Sequence, residues 1–189
     1  KGGVARRRVT VAWRAGGRPG WATRRSTPKG PVPARGPDEG RVLPDTPATR
    51  PGREAGSPEP ALRGTPPAEK AEIASWNWRV EFEGLLAIAE ALRNSSPAMA
   101  HRALPGAVDY EQIPELAARG VARARQFFAT LNERLAGRGF VATGRFSVAD
   151  ITAVVAVDFA RVIKVKAGDE HPHLQRWRAA MALRPSMGL

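Results

Sequence analysis

From Gly64 onward, apolar positions recur at helical intervals. The stripe Ala71, Ala74, Trp78, Phe82, Leu85, Ala89 and Leu92 predicts a helix of about six turns. Thr65 is its expected N-cap, with Pro66 in the first helical position. Asn94-Ser95-Ser96-Pro97 should end it, and residues 97–113 read as a mixed connection with a short helical turn. A second helix is expected from near Pro114 to about Leu135. Its apolar face is Ala117, Val121, Ala124, Phe128, Leu131 and Leu135, with Arg119, Arg123 and Arg134 on other faces. Gly137 and Gly139 should stop it.

A third helix announces itself through its start. Ser147-Val148-Ala149-Asp150 reads as a capping box, in which the acid at the third helical position returns to the N-cap amide. Phe146 and Ile151 occupy the positions of a hydrophobic staple. Val148 to Ala160 is apolar at almost every residue, which predicts a helix enclosed on all sides at the centre of a bundle. Asp158 interrupts that run on the line of Ile151, Val155, Val162 and Val165. It reads either as a site acid or as a carboxylate satisfied by a neighbouring helix or loop, since a buried charge needs donors. A last helix starts near Pro172, packs Leu174, Trp177 and Met181, and stops before Pro185.

Upstream the pattern is lost. Residues 1–70 hold 12 of the 17 prolines and 11 of the 19 glycines, and they contain no Phe, Ile, Met or Tyr. So few large apolar side chains cannot offset the entropy of ordering such a segment, and the core is expected in the rest of the chain. Residues 1–26 read as a disordered basic extension. Residues 27–64 carry remnants of order: Pro31-Val32-Pro33-Ala34 is extended, and Asp38-Glu39-Gly40-Arg41 turns into Val42-Leu43.

Charge follows the same division. Of the formal +12, residues 1–70 contribute +9 and the remainder +3. Arg6-Arg7-Arg8 with Trp13 and Trp21 could serve a nucleic-acid arm. The simpler reading is a solvated tail, so nucleic acid is not expected as a partner. With no cysteine in 189 residues, disulfides, thiolate metal sites and a thiol nucleophile are excluded. His101, His171 and His173 lack metal-ligand spacing, so no metal is expected. No run approaches a bilayer span, and the basic start lacks the apolar stretch of a secretory signal. The expectation is a cytoplasmic chain without a membrane partner.

The stretches SPEPALRGTPPAEKAEIASWNWRVEFEGL, GRFSVADITAVVAVDFARVIK and HPHLQRWRAAMALRPSM together resemble the all-helical C-terminal domain of bacterial glutathione S-transferases. The upstream piece TPKGPVPARGPDEGRVLPDTPAT resembles the second half of the family's thioredoxin-like domain. The resemblance implies a mainly α fold: a helical bundle over 65–189, preceded by an incomplete, largely irregular thioredoxin-like remnant over 27–64. It implies that the Val32 backbone, presented by Pro33, meets the cysteinyl part of glutathione, and that Asp45 and Thr46 hold the γ-glutamyl end. Ser147 and Asp150 match the family's structural capping box. Glutathione as co-substrate, an apolar electrophile and a homodimer follow by the same resemblance. Trp76, Trp78 and Arg79 are candidates for one wall of the electrophile pocket.

Relatives open with a strand and helix carrying the Tyr, Ser or Cys that bonds the glutathione sulfur. Residues 1–26 show no such element, and the only tyrosine, Tyr110, lies in the helical region. No catalytic residue is therefore assigned. The alternative function is a non-catalytic helical binding or dimerisation module.

Overall fold

The computed structural model describes residues 34–35, 42–43, 54, 59–106 and 108–187. The chain divides into two units, Lys1–Arg53 and Glu54–Leu189. In the first, β1 (Ala34–Arg35) pairs antiparallel with β2 (Val42–Leu43), Ala34 opposite Leu43 and Arg35 opposite Val42. The second unit is helical: α1 (Pro67–Arg79), a π-helical segment (Val80–Leu85), α2 (Leu86–Ser95), α3 (Pro114–Arg134), α4 (Val148–Phe159) and α5 (Pro172–Ala182).

The first long helix departs from its sequence reading in start and face. Pro66 is the N-cap and Pro67 the first helical residue. Thr65 instead donates its N–H to Glu69 Oε2 at 3.0 Å. The expected stripe faces outward over its first half: Ala71, Ala74, Trp78 and Phe82 are exposed. The buried line is Ile73, Val80, Gly84, Ala87, Ile88 and Ala91. Two causes explain the shift. The π-helical segment changes the register in mid-helix. The burial partner also rewards small residues over large ones. A Cβ on Gly84 would lie 2.8 Å from the Phe127 ring, and one on Gly120 would lie 2.6 Å from Ala87 O. Gly84 of the π-helical segment thus lets the Phe127 ring of α3 lie against it, and Gly120 lets the backbone of α3 approach that of α2, contacts that a larger side chain would prevent.

α3 follows the predicted stripe, burying Ala124, Phe128, Leu131 and, just beyond it, Leu135, together with Gly120 and Phe127. Gly137 lies past the end of α3 at φ +69°, a left-handed turn that glycine enters without steric cost. α5 buries Leu174, Trp177 and Met181 as expected.

α4 is less enclosed than its composition predicts. Ala149, Ala153, Val154, Ala156 and Val157 are buried, whereas Ile151 and Val155 are exposed, as is Val162 in the following 3-10 segment Ala160–Ile163. Composition alone cannot distinguish a helix covered on every side from one with an outward edge; the neighbouring elements decide. α1 and the π-helical segment cover α4 on one side. Asp158 is neither enclosed nor free: Arg178 of α5 donates to both its oxygens, at 2.9 and 2.6 Å.

Candidate functional site

Two features of the helical unit combine chemistry with a defined geometry: a buried carboxylate at the start of α4 and an aromatic stripe along α1 and its continuation. The carboxylate is Asp150. Its Oδ2 accepts the Ser147 N–H and the Ser147 hydroxyl, both at 3.0 Å. Its Oδ1 accepts the Val141 N–H at 2.9 Å and the Trp177 indole N–H at 3.3 Å. One side chain thus ties the loop before α4, the helix start and α5. Burial pushes the Asp150 carboxyl above its ordinary range, and the Val141, Ser147 and Trp177 donors pull the other way. With its acceptor sites occupied by the protein, Asp150 is a structural hub.

Further bonds brace the helix start against α1 and the turn before it. Val148 N–H donates to Leu62 O at 2.9 Å, and the Thr152 hydroxyl to Asn77 Oδ1 at 2.7 Å. Arg145 forks onto both oxygens of Glu69, each at 2.6 Å. That contact, with the Thr65 N–H, lowers the Glu69 carboxyl to about 2, and the same pairing raises the Arg145 guanidinium.

The run from α1 through the π-helical segment into α2, so braced, presents Trp78, Phe82 and Leu86 in steps of four, 58%, 46% and 55% exposed. The Trp78 and Phe82 rings stack with centroids 5.0 Å apart and planes 10° from parallel. Arg123 of α3 lies 5.2 Å from the Phe82 ring centroid and donates to Phe82 O at 2.9 Å. Flat apolar surface edged by a cation suits an aromatic or otherwise apolar ligand.

The sequence candidates divide accordingly. Trp78 lies on the stripe. Trp76 is half-buried between the guanidiniums of Arg79 and Arg134, each 4.6 Å from its ring centroid. Arg79 is also engaged by Glu83, at 3.0 and 3.4 Å, so its charge serves a local pair. Tyr110 is exposed in the connection before α3. Val32, Pro33, Asp45 and Thr46 lie outside the described residues. Leu86 was absent from the sequence candidates, although its position four residues after Phe82 continues the Trp78–Phe82 spacing.

The family model described as "Glutathione S-transferase, C-terminal domain" matches residues 96–185. Glutathione S-transferase 2 of Saccharomyces cerevisiae is 28% identical over 158 residues, 84% of this chain and 66% of the yeast protein. The chain thus spans just under two thirds of that relative's length. The crystal structure of a glutathione S-transferase domain-containing protein from Marinobacter aquaeolei is 31% identical. It superposes with a TM-score of 0.76, covering 87% of this chain and 78% of that one.

The chain belongs to the glutathione S-transferase family.

A sphingomonad glutathione S-transferase, solved in complex with glutathione, shares the fold at 24% identity and a TM-score of 0.67, over 87% of this chain and 74% of that one. Within the glutathione S-transferase fold of this chain, the described residues supply a braced, partly aromatic wall. No helix among them is long and apolar enough to cross a membrane.

Proposed function

We infer that this protein binds glutathione and transfers its thiol to an apolar electrophile. Kinship supplies the reaction class. The observation that carries the substrate class is the stacked, exposed Trp78–Phe82 pair continuing to Leu86, an apolar wall on a braced helix. The Val32 backbone beside Pro33 would take the cysteinyl portion of the tripeptide, and Asp45 with Thr46 its γ-glutamyl ammonium and carboxylate. These roles come from the resemblance of residues 27–64 to the thioredoxin-like part of the family.

The chemistry is nucleophilic displacement. A free thiol is mostly protonated at neutral pH, and a donor or positive field beside it raises the thiolate fraction. The thiolate sulfur then bonds to the electrophilic carbon while the carbon–halide bond breaks and the halide leaves with its electron pair. The helical unit contributes binding and water exclusion by the aromatic wall. A homodimer in the cytoplasm completes the reading, again by family kinship.

The test uses the full chain on glutathione resin, followed by conjugation of a chlorinated aromatic monitored by halide release. Retention together with turnover is expected, and Trp78→Ala should raise KM for the aromatic more than it lowers retention. A folded chain that neither stays on the resin nor releases halide would end the proposal. Retention without turnover would leave the non-catalytic binding module in its place.

A further inference from the structure

Among the described residues, four guanidiniums lie over aromatic rings. Arg79 and Arg134 flank Trp76, and Arg184 covers Phe146, both half-buried rings. Arg123 differs, because its ring, Phe82, is exposed and stacked on Trp78. Its effect therefore falls on the outer surface rather than on the core.

The local backbone explains how Arg123 reaches this ring. In an α-helix the Phe82 carbonyl would accept the N–H of Leu86, one turn on. Within the π-helical segment the Leu86 N–H instead donates to Glu81 O. Phe82 O takes a donor from another helix, Arg123 Nη2 at 2.9 Å. The second arm of the guanidinium is fixed as well. Arg123 Nη1 donates to Glu90 Oε2 at 2.9 Å, and the Glu90 side chain is only 14% exposed. Arg123 of α3 thus bridges the π-helical segment and α2 with two charge-assisted bonds. Trp78 lies one turn before Phe82, whereas the Arg123 bonds lie at Phe82 O and at Glu90 further on. Along the helix, Phe82 therefore stands between the indole and the guanidinium.

We propose that Arg123 is a positioning residue that preorganises the Trp78–Phe82 stack for planar aromatic electrophiles over flexible alkyl ones. The proposal rests on the reading of this stripe as the electrophile wall. A flat ligand gains full contact only with a ring that already stands in a fixed plane, whereas an alkyl chain adapts to rings in many orientations. With two of its nitrogens engaged by Phe82 O and Glu90, Arg123 acts through Phe82 and not on the electrophile.

The test is equilibrium dialysis of the full chain against dinitrotoluene, a planar nitroaromatic without a leaving halide, with folding checked by circular dichroism. Arg119 supplies the control, because its side-chain bonds among the described residues go to Glu90. Arg123→Met should weaken binding roughly fivefold or more, Arg123→Lys roughly threefold, and Arg119→Met less than about twofold. Lysine keeps a charge beside Glu90 but has no second nitrogen to reach Phe82 O. In conjugation, Arg123→Met should raise KM for chlorodinitrobenzene by a similar factor. Its kcat, KM for glutathione and KM for iodohexane should each change less than about twofold. The proposal is overturned by no saturable binding to the parent chain, by unchanged binding in a folded Arg123→Lys, or by equal losses in Arg119→Met and Arg123→Met. An equal rise in KM for iodohexane overturns it too. Where Arg123→Met fails to fold, Arg123→Lys decides. A parent chain that shows the expected contrast in dialysis yet conjugates nothing would end the transferase reading and support the role of Arg123.

Discussion

At the start of α4, Asp150 is buried and each of its oxygens accepts two hydrogen bonds. Just past the other end, Lys164 and Lys166 stand exposed beside a cleft whose lining contains a single acid. Between them, Asp158 is half-buried with one partner, Arg178. Polar saturation falls along the helix, and with it the structural commitment of the charged groups. A group whose donors or acceptors are consumed internally holds the fold. One left open can be replaced without breaking anything.

The largest expected effect tests the saturated end. Asp150→Ala leaves the Val141, Ser147 and Trp177 donors without their acceptor in a buried setting. Unfolding by urea should register a loss of about 3 kcal/mol or more, because unsatisfied buried donors cost about 1–3 kcal/mol each. A loss below about 1 kcal/mol would mean that water replaces the carboxylate, and the contrast between the helix ends would fail.

The open end should respond in the opposite direction. Lys164→Gly relieves the left-handed backbone strain and should stabilise the fold by about 0.5–1 kcal/mol. Thermal melts check this. A variant that is less stable would show that the Lys164 side chain is retained for packing.

The smallest effects are those of pH, and two carboxylates should differ in sign. The folded-state value of Glu69 is depressed to about 2 by Arg145 and the Thr65 N–H. Its contribution is therefore present above the ordinary carboxylate value and is lost as pH falls through about 2. Asp150 is raised by burial, so its contribution is full below the ordinary value and declines as pH rises through the folded-state value. Melts of Arg145→Gln and Asp150→Asn across acidic pH, compared with the parent chain, should separate the two slopes. Slopes of the same sign would contradict the assigned environments.

Much of the helical unit was legible in the sequence because its signals are local. The Ser147–Asp150 spacing specifies a helix start within four residues, and Leu174, Trp177 and Met181 fall on one face of a single helix. The aromatic wall was only half legible. Trp78 and Phe82 fall on the apolar helical stripe and Trp78 is a candidate for the pocket wall, whereas the buried line runs through Ile73, Val80 and the small residues Gly84, Ala87 and Ala91. Hydrophobicity ranks side chains by size, but this interface selects for close backbone approach. The Arg123 bridge gave no sequence signal, because Phe82, Glu90 and Arg123 come from three separate elements.

The sequence by itself determined, to within a residue or two, where the helices of the second unit begin and end, through caps, prolines, glycines and apolar spacing, which act within a few residues. Tertiary structure alone decided which face of the first long helix is covered, which edge of α4 is bare and which cations lack an acid. Those outcomes depend on what lies across the interface, and residues far apart in the chain meet there only after packing.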